Sequence, residues 1–175
     1  KNIHTELVDI DMTLQAIAIR TTYPMNFVFC NVYLDHGLRI TEIQDKLDNL
    51  IRQLGHNFIL TGDFNAHNAI WGSHKTDGRG RTIEELIDEH SLIIKNENQP
   101  THLASSNNRL TAIDVTLCTQ GLSDEFDWTV LDDLSGSDHF PILLSFTQYA
   151  QNMTRREKYN TNTADWTKYR QNINF

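Results

Sequence analysis

The amino-acid sequence predicts a layered α/β domain. Short apolar runs rich in β-branched residues recur along the chain, and a strongly amphipathic stretch at residues 40–54 separates two of them. The resulting strand, helix, strand order is that of an α/β layer. At 175 residues the chain is one domain's length, and its 39% hydrophobic content suffices for a core of real size.

The elements follow in order. Residues 13–20 and 26–33 predict two strands, separated by a turn at Thr21-Thr22-Tyr23-Pro24. Ile40, Ile43, Leu47, Leu50, Ile51 and Leu54 fall at helical spacing, and Gly55 stands where a C-terminal cap belongs. Residues 58–61 predict a buried strand. Residues 62–81 read as a long polar loop, and loops of that length in compact domains are often functional. Thr82 and Glu85 have capping-box spacing, so a second helix is expected to open there, burying Ile83, Leu86 and Ile87. Further strands are predicted at 92–94, 111–118, 126–131 and 140–146. The Asn-rich, polar residues 148–175 read as a linker beyond a domain of residues 1–147.

Composition narrows the function classes. No apolar stretch approaches the ~20 residues of a membrane span. The first residues, Lys1-Asn2-Ile3-His4-Thr5-Glu6, contain no apolar signal core, so an intracellular or nuclear location is expected. Cys30 and Cys118 each sit in a strand-like run and read as reduced core thiols. The net charge of −8 divides unevenly: residues 151–175 carry +3, leaving −11 on residues 1–150. That balance opposes tight, purely electrostatic binding to DNA.

The chemistry concentrates at strand ends. Gly62-Asp63-Phe64-Asn65 closes the predicted strand at 58–61. Alternation turns Asp63 and Asn65 one way and Phe64 into the core. Two oxygen-bearing groups fixed there suit a hard cation, a phosphate or an attacking water; a plain Asx turn is the competing reading. Asp114 lies in an otherwise apolar strand, where a carboxylate is costly unless paired. His139, in Ser137-Asp138-His139 just before the last strand, is its natural partner, and a carboxylate can orient an imidazole for catalysis. Tyr33 ends an earlier strand as either a phosphate-binding phenol or a core residue. Thr101 and Ser137 offer hydroxyls near the same face. His67, Trp71 and Arg79 stand on the long loop, either to meet DNA or to pin the loop to its scaffold.

Asn31-Val32-Tyr33, Gly62-Asp63-Phe64-Asn65, Ile113-Asp114 and Ser137-Asp138-His139 occur in the order seen in the endonuclease/exonuclease/phosphatase superfamily. The run Gly62-Asp63-Phe64-Asn65-Ala66-His67 into Trp71-Gly72-Ser73, then Gly78-Arg79-Gly80-Arg81, most resembles the endonuclease domain of jockey-type non-LTR retrotransposons. Residues 158–166 resemble the segment joining such a domain to a reverse transcriptase. The resemblance implies a four-layer α/β sandwich, two β-sheets face to face with helices outside. It implies Mg²⁺- or Mn²⁺-dependent nicking of DNA, leaving a 3′-hydroxyl that primes reverse transcription. Asp63 would align the attacking water and Asn65 would position it or the phosphate. Asp114 would orient His139 onto the scissile phosphate, and Tyr33 would hold a phosphate oxygen. Asp63, Asn65 and Asp138 would lie at the metal. The implied partners are DNA and a reverse-transcriptase region of the same polyprotein, with no membrane.

The family's first-strand asparagine and metal-binding glutamate have no counterpart here. Both precede the strand predicted at 13–20, and Glu6 lies too close to that strand. The expectation is a domain incomplete at its N-terminus and weak or inactive alone. Two other readings stay open: a superfamily enzyme acting on a phosphomonoester or phospholipid headgroup, and an inactive domain kept as an interaction module.

Overall fold

The computed structural model describes residues 4–11, 13–23, 25–104 and 108–146. Its main sheet has six strands in the order β1-β2-β3-β4-β8-β5. These are β1 (His4–Val8), β2 (Gln15–Tyr23), β3 (Phe27–Tyr33), β4 (Phe58–Asp63), β5 (Ile93–Ile94) and β8 (Asp114–Cys118). Strands β3 and β4 pair in parallel, and the other pairs are antiparallel. A parallel pair needs a crossover, and helix α1 (Ile40–Leu54) supplies it. Helix α2 (Gly78–Glu89) packs beside α1. Two small hairpins complete the description: β6 (His102–Ala104) with β7 (Arg109–Thr111), and β9 (Phe126–Val130) with β10 (Ile142–Phe146).

Alternation along the strands divides the sheet into two apolar faces. Ala18, Val28, Cys30, Val32, Phe58, Leu60, Val115 and Leu117 join the buried sides of α1 and α2 in one core. Phe27, Ile59 and Cys118 face the other way and pack with Phe126, Leu144 and Phe146 of the β9–β10 hairpin. Helices, main sheet and second sheet are therefore stacked layers, the α/β sandwich expected from the resemblance. Cys30 and Cys118 are buried free thiols, as expected, and burial pushes them up to about 12 and about 11 respectively.

Four local expectations are corrected. Residues 62–81 are not one loop: a 3₁₀ turn runs over Ala69–Trp71, and α2 begins at Gly78. Its cap is Asp77, whose side chain accepts from the Gly80 N–H at 2.7 Å, so Thr82 lies inside the helix. Gly-Arg-Gly-Arg disguised this start, because glycine is a poor helix former. Gly80 is needed for another reason: a Cβ there would stand 2.0 Å from the His67 carbonyl oxygen. The strand expected at 111–118 is broken at Ala112-Ile113, where Thr101 Oγ1 accepts the Ile113 and Asp114 N–H groups at 3.2 and 3.0 Å. Strand β1 was not foreseen. Its Glu6 pairs with Arg20 at 3.4 Å, five residues along β2 from the site described below, in keeping with its exclusion as a metal ligand. The linker expected at 148–175 lies outside the described residues.

Candidate active site

Sheet register builds the site. Gln15, Tyr33, Asp63 and Asp114 are successive partners across β2, β3, β4 and β8. Side chains in one such row share a face, with Cβ atoms of directly opposed residues roughly 4.5–5.5 Å apart. The row lies at one end of the sheet, on the face that carries the β9–β10 hairpin. Behind it lies the Asn31, Thr61, Thr116 row, exposed at Asn31 and buried at Thr61 and Thr116. There Thr61 and Thr116 hydroxyls meet at 2.9 Å, and the Trp128 indole N–H donates to Thr116 at 3.0 Å.

Strands β3 and β4 approach closely because position 62 lacks a side chain. At Gly62 φ is +144°, and a Cβ would lie 1.9 Å from the Val32 carbonyl oxygen. After Asp63 the chain turns sharply: Asn65 adopts φ 47°, while Phe64 is fully buried as expected. The turn is self-bracing. Asp63 Oδ1 accepts the Asn65 backbone N–H at 2.9 Å, and Oδ2 accepts from Asn65 Nδ2 at 3.1 Å. Nδ2 also donates to the Leu34 carbonyl at 3.1 Å, leaving Asn65 Oδ1 as its free polar atom.

Asp114 and His139 form the expected pair. His139 Nδ1 lies 3.1 and 2.9 Å from the two Asp114 oxygens. The Asp114 carboxyl is held above its ordinary value by burial, opposed by hydrogen bonds from Thr101 and His139. With Nδ1 so engaged, His139 offers Nε2 outward. Ser137 Oγ accepts the His139 N–H at 3.1 Å and fixes the approach of this segment. Asp63, Asp114 and His139 thus stand on one side of the sheet.

Several residues expected at a substrate are placed differently. Thr101 is fully buried; its hydroxyl organises the β7–β8 break and Asp114, so it is a scaffold residue. Trp71 is fully buried in the helix-side core. Arg79 turns inward, and its two terminal nitrogens donate to the carbonyls of Leu34, Asp35, His36, Leu38 and Phe64 at 3.1–3.4 Å. It clamps the β3–α1 loop to the Asp63 turn. His67 is half-buried, its Nδ1 3.4 Å from Ser73 Oγ, and burial lowers its pKa. Replacing Arg79 by lysine keeps the charge but loses the planar fork. That change is expected to cost about 2–3 kcal/mol in a urea melt.

One residue was missed. His102 follows buried Thr101 and lies against the dyad, its ring centroid 4.6 Å from that of His139. Its Nδ1 is 3.0 Å from Thr111 Oγ1, and its Nε2 is 3.7 Å from Asp138 Oδ2. A bridge between His102 and His139, with the Leu103 N–H donating to the Asp138 carbonyl at 2.8 Å, holds the two segments together. Adjacency to Thr101 was the only sequence signal.

A family model described as endonuclease–reverse transcriptase matches residues 27–143, a stretch that holds Tyr33, Asp63, Asp114 and His139. The chain belongs to that family. The chain resembles the RNA-directed DNA polymerase from mobile element jockey of Drosophila melanogaster, at 36% identity over 104 residues. It is 31% identical over 104 residues to the counterpart in Drosophila funebris. Each match covers 58% of this chain and 11% of the relative, so the chain aligns with about a tenth of those proteins. Among solved structures, the endonuclease domain of TRAS1, a telomere-specific non-LTR retrotransposon, superposes with TM-score 0.72 at 24% identity, covering 83% of this chain and 67% of that one. The 3′-5′ exonuclease NExo from Neisseria meningitidis superposes with TM-score 0.58 at 16% identity, over 83% and 71%. At these identities the structural likenesses show the shared fold of the endonuclease/exonuclease/phosphatase superfamily. Nucleases of that superfamily generally use divalent metals. Among the described residues, no helix is long and apolar enough to cross a membrane.

Proposed function

We propose that this chain forms the catalytic part of a retrotransposon-encoded endonuclease that nicks target DNA. The reaction is hydrolysis at phosphorus. Water attacks, the bond from phosphorus to the 3′-oxygen breaks, and that oxygen takes a proton to become the hydroxyl that primes reverse transcription. The observation that carries the reading is the Asp114–His139 pair standing beside Asp63 and Tyr33 on one face.

Each residue then has a role. Asp114 holds His139 by Nδ1, and Nε2 meets a non-bridging phosphate oxygen, stabilising the charge that grows there. Asp63, braced by Asn65, orients the attacking water and accepts its proton. Tyr33, 36% exposed, donates its hydroxyl to the phosphate. Oxygen donors are what a hard divalent cation requires. Each Asp63 oxygen accepts one hydrogen bond and keeps lone-pair capacity, Asn65 retains Oδ1, and the Asp138 carboxylate is open to solvent. These groups fit Mg²⁺ or Mn²⁺, which when bound would stabilise negative charge on the phosphate and the leaving oxygen. The acidic surface makes electrostatic steering weak, so affinity would come from contacts at the site and from neighbouring parts of a longer polyprotein.

The test is nicking of supercoiled plasmid with protein in excess, in Mg²⁺ and in chelator, beside Asp63→Ala. Slow, Mg²⁺-dependent nicking is expected, and it should disappear in the variant. A folded chain that leaves the plasmid supercoiled would remove the enzyme reading in favour of an inactive interaction module.

A further inference from the structure

The active-site face sets His102, which hydrolysis with Mg²⁺ does not require, beside Asp138 and His139. His102, Asp138 and His139 each bring one ligand atom within 4.8 Å of the others. Two imidazoles and a carboxylate make a poor cage for Mg²⁺, which prefers oxygen, and a good one for zinc-class ions. From this geometry we infer that His102, His139 and Asp138 bind a transition-metal ion such as Zn²⁺, and that its binding blocks the nuclease.

Both histidines are already arranged as metal ligands are. A ligating imidazole usually has its other nitrogen held by a carboxylate or another polar group, which fixes ring and tautomer. Asp114 holds Nδ1 of His139 at 2.9 Å, and Thr111 Oγ1 lies 3.0 Å from Nδ1 of His102. Nε2 is the remaining nitrogen of each ring. The rings are tilted by 50° at a centroid distance of 4.6 Å, so both border one small volume. Asp138 Oδ2 stands 3.7 Å from His102 Nε2, and its side chain is 58% exposed and free to turn. Zinc bonds of roughly 2 Å need ligand atoms roughly 3.3 Å apart. The three ligand atoms, within 4.8 Å of one another, would have to draw together by up to about 1.5 Å on binding. Three protein ligands leave a fourth position open to water.

A second group of similar composition, Asp48, Glu89 and His90, serves as the internal comparison. There Arg52 already pairs with Asp48 at 2.9 Å and with Glu89 at 3.7 Å, and His90 Nε2 lies 2.7 Å from Asp48. A cation would have to displace a guanidinium. In the active-site group the two rings are pre-aimed by Asp114 and Thr111.

The blocking half of the inference rests on the nuclease reading, because a metal on His139 Nε2 removes the group that meets the phosphate. The binding half does not. ZnCl₂ titration against a chromogenic chelator, and visible absorption of the Co²⁺-loaded chain, read binding without DNA. One equivalent of Zn²⁺ is expected. His102→Ala and Asp138→Asn should each weaken it by at least about tenfold, Thr111→Val by a smaller factor, and His90→Ala not at all. Circular dichroism checks that each variant is folded. In the plasmid assay, Zn²⁺ added over Mg²⁺ should stop nicking, and His102→Ala should raise the inhibiting concentration relative to that variant's own Mg²⁺ rate. Absence of stoichiometric Zn²⁺ binding, or binding lost in His90→Ala but kept in His102→Ala, overturns the site whether or not the chain nicks DNA. Binding at the site without inhibition of an active chain overturns the blocking role alone.

Discussion

Asp114→Asn is expected to lower Mg²⁺-dependent nicking by roughly two to four orders of magnitude while leaving the chain folded. The carboxylate accepts from His139 Nδ1 with both oxygens, at 3.1 and 2.9 Å. That arrangement keeps the proton on Nδ1 and stabilises the imidazolium when Nε2 is protonated. An asparagine amide is neutral, and its NH₂ can donate to Nδ1 and so move the imidazole proton to Nε2. Stability should not fall with activity. Burial raises the Asp114 pKa in the folded chain. An acid raised in this way contributes stability that is present below its unfolded value and lost as pH rises through its folded value. The amide removes this titration, so it should cost little above the folded value and should flatten the pH dependence of unfolding between the unfolded and folded values. Nicking by single-turnover assay and unfolding by urea, followed together, check both halves. A variant that nicks near the parent rate would show that the pair is structural.

Trp71→Ala should destabilise the chain by about 3–5 kcal/mol, the largest stability loss expected of a single side chain here. Trp71 is fully buried in the core shared by the sheet and both helices. It closes a 3₁₀ turn capped by Asn68, whose side chain accepts the Ile70 N–H at 3.0 Å. Among the described residues its buried indole N–H meets no hydrogen-bond partner. Packing, rather than that N–H, therefore carries its contribution. Trp71→Phe loses some volume but removes an unsatisfied donor, so it should cost less than about 1.5 kcal/mol and leave nicking intact. Chemical denaturation of both variants checks this. If Trp71→Phe stays folded but loses DNA binding, the residue meets DNA after all and its burial is not the whole account.

Much of the scaffold was legible because it is local. The apolar spacing of 40–54 gave α1 to the residue, and short β-branched runs gave β3, β4 and β9 within one or two positions. The Asp63 turn was legible because glycine, aspartate and asparagine have few other uses at the end of a buried strand. Misreadings fell where a distant partner overrides local preference. Gly78 to Arg81 look like loop residues, yet Asp77 caps them and the His67 carbonyl excludes any side chain at Gly80. Ala112-Ile113 look like strand, yet the Thr101 hydroxyl takes the N–H groups that a ladder would have used.

The site divides in the same way. Sequence by itself determined which groups stand at strand ends: Tyr33, Asp63, Asn65 and His139, whereas Asp114 was expected inside a strand and stands at the start of β8. Those positions follow from where each apolar run stops, a property of neighbours in the chain. Only tertiary structure decided that Asp63 and Asp114 share a row, that Arg79 and Trp71 turn inward, and that His102 joins His139. Each depends on pairing or packing between segments far apart in sequence: Asp63 with Asp114, Arg79 with the carbonyls of residues 34–38, His102 with residue 139. Strand register and side-chain burial are set by the collective fit of the sheet and its two cores, and no local periodicity encodes them.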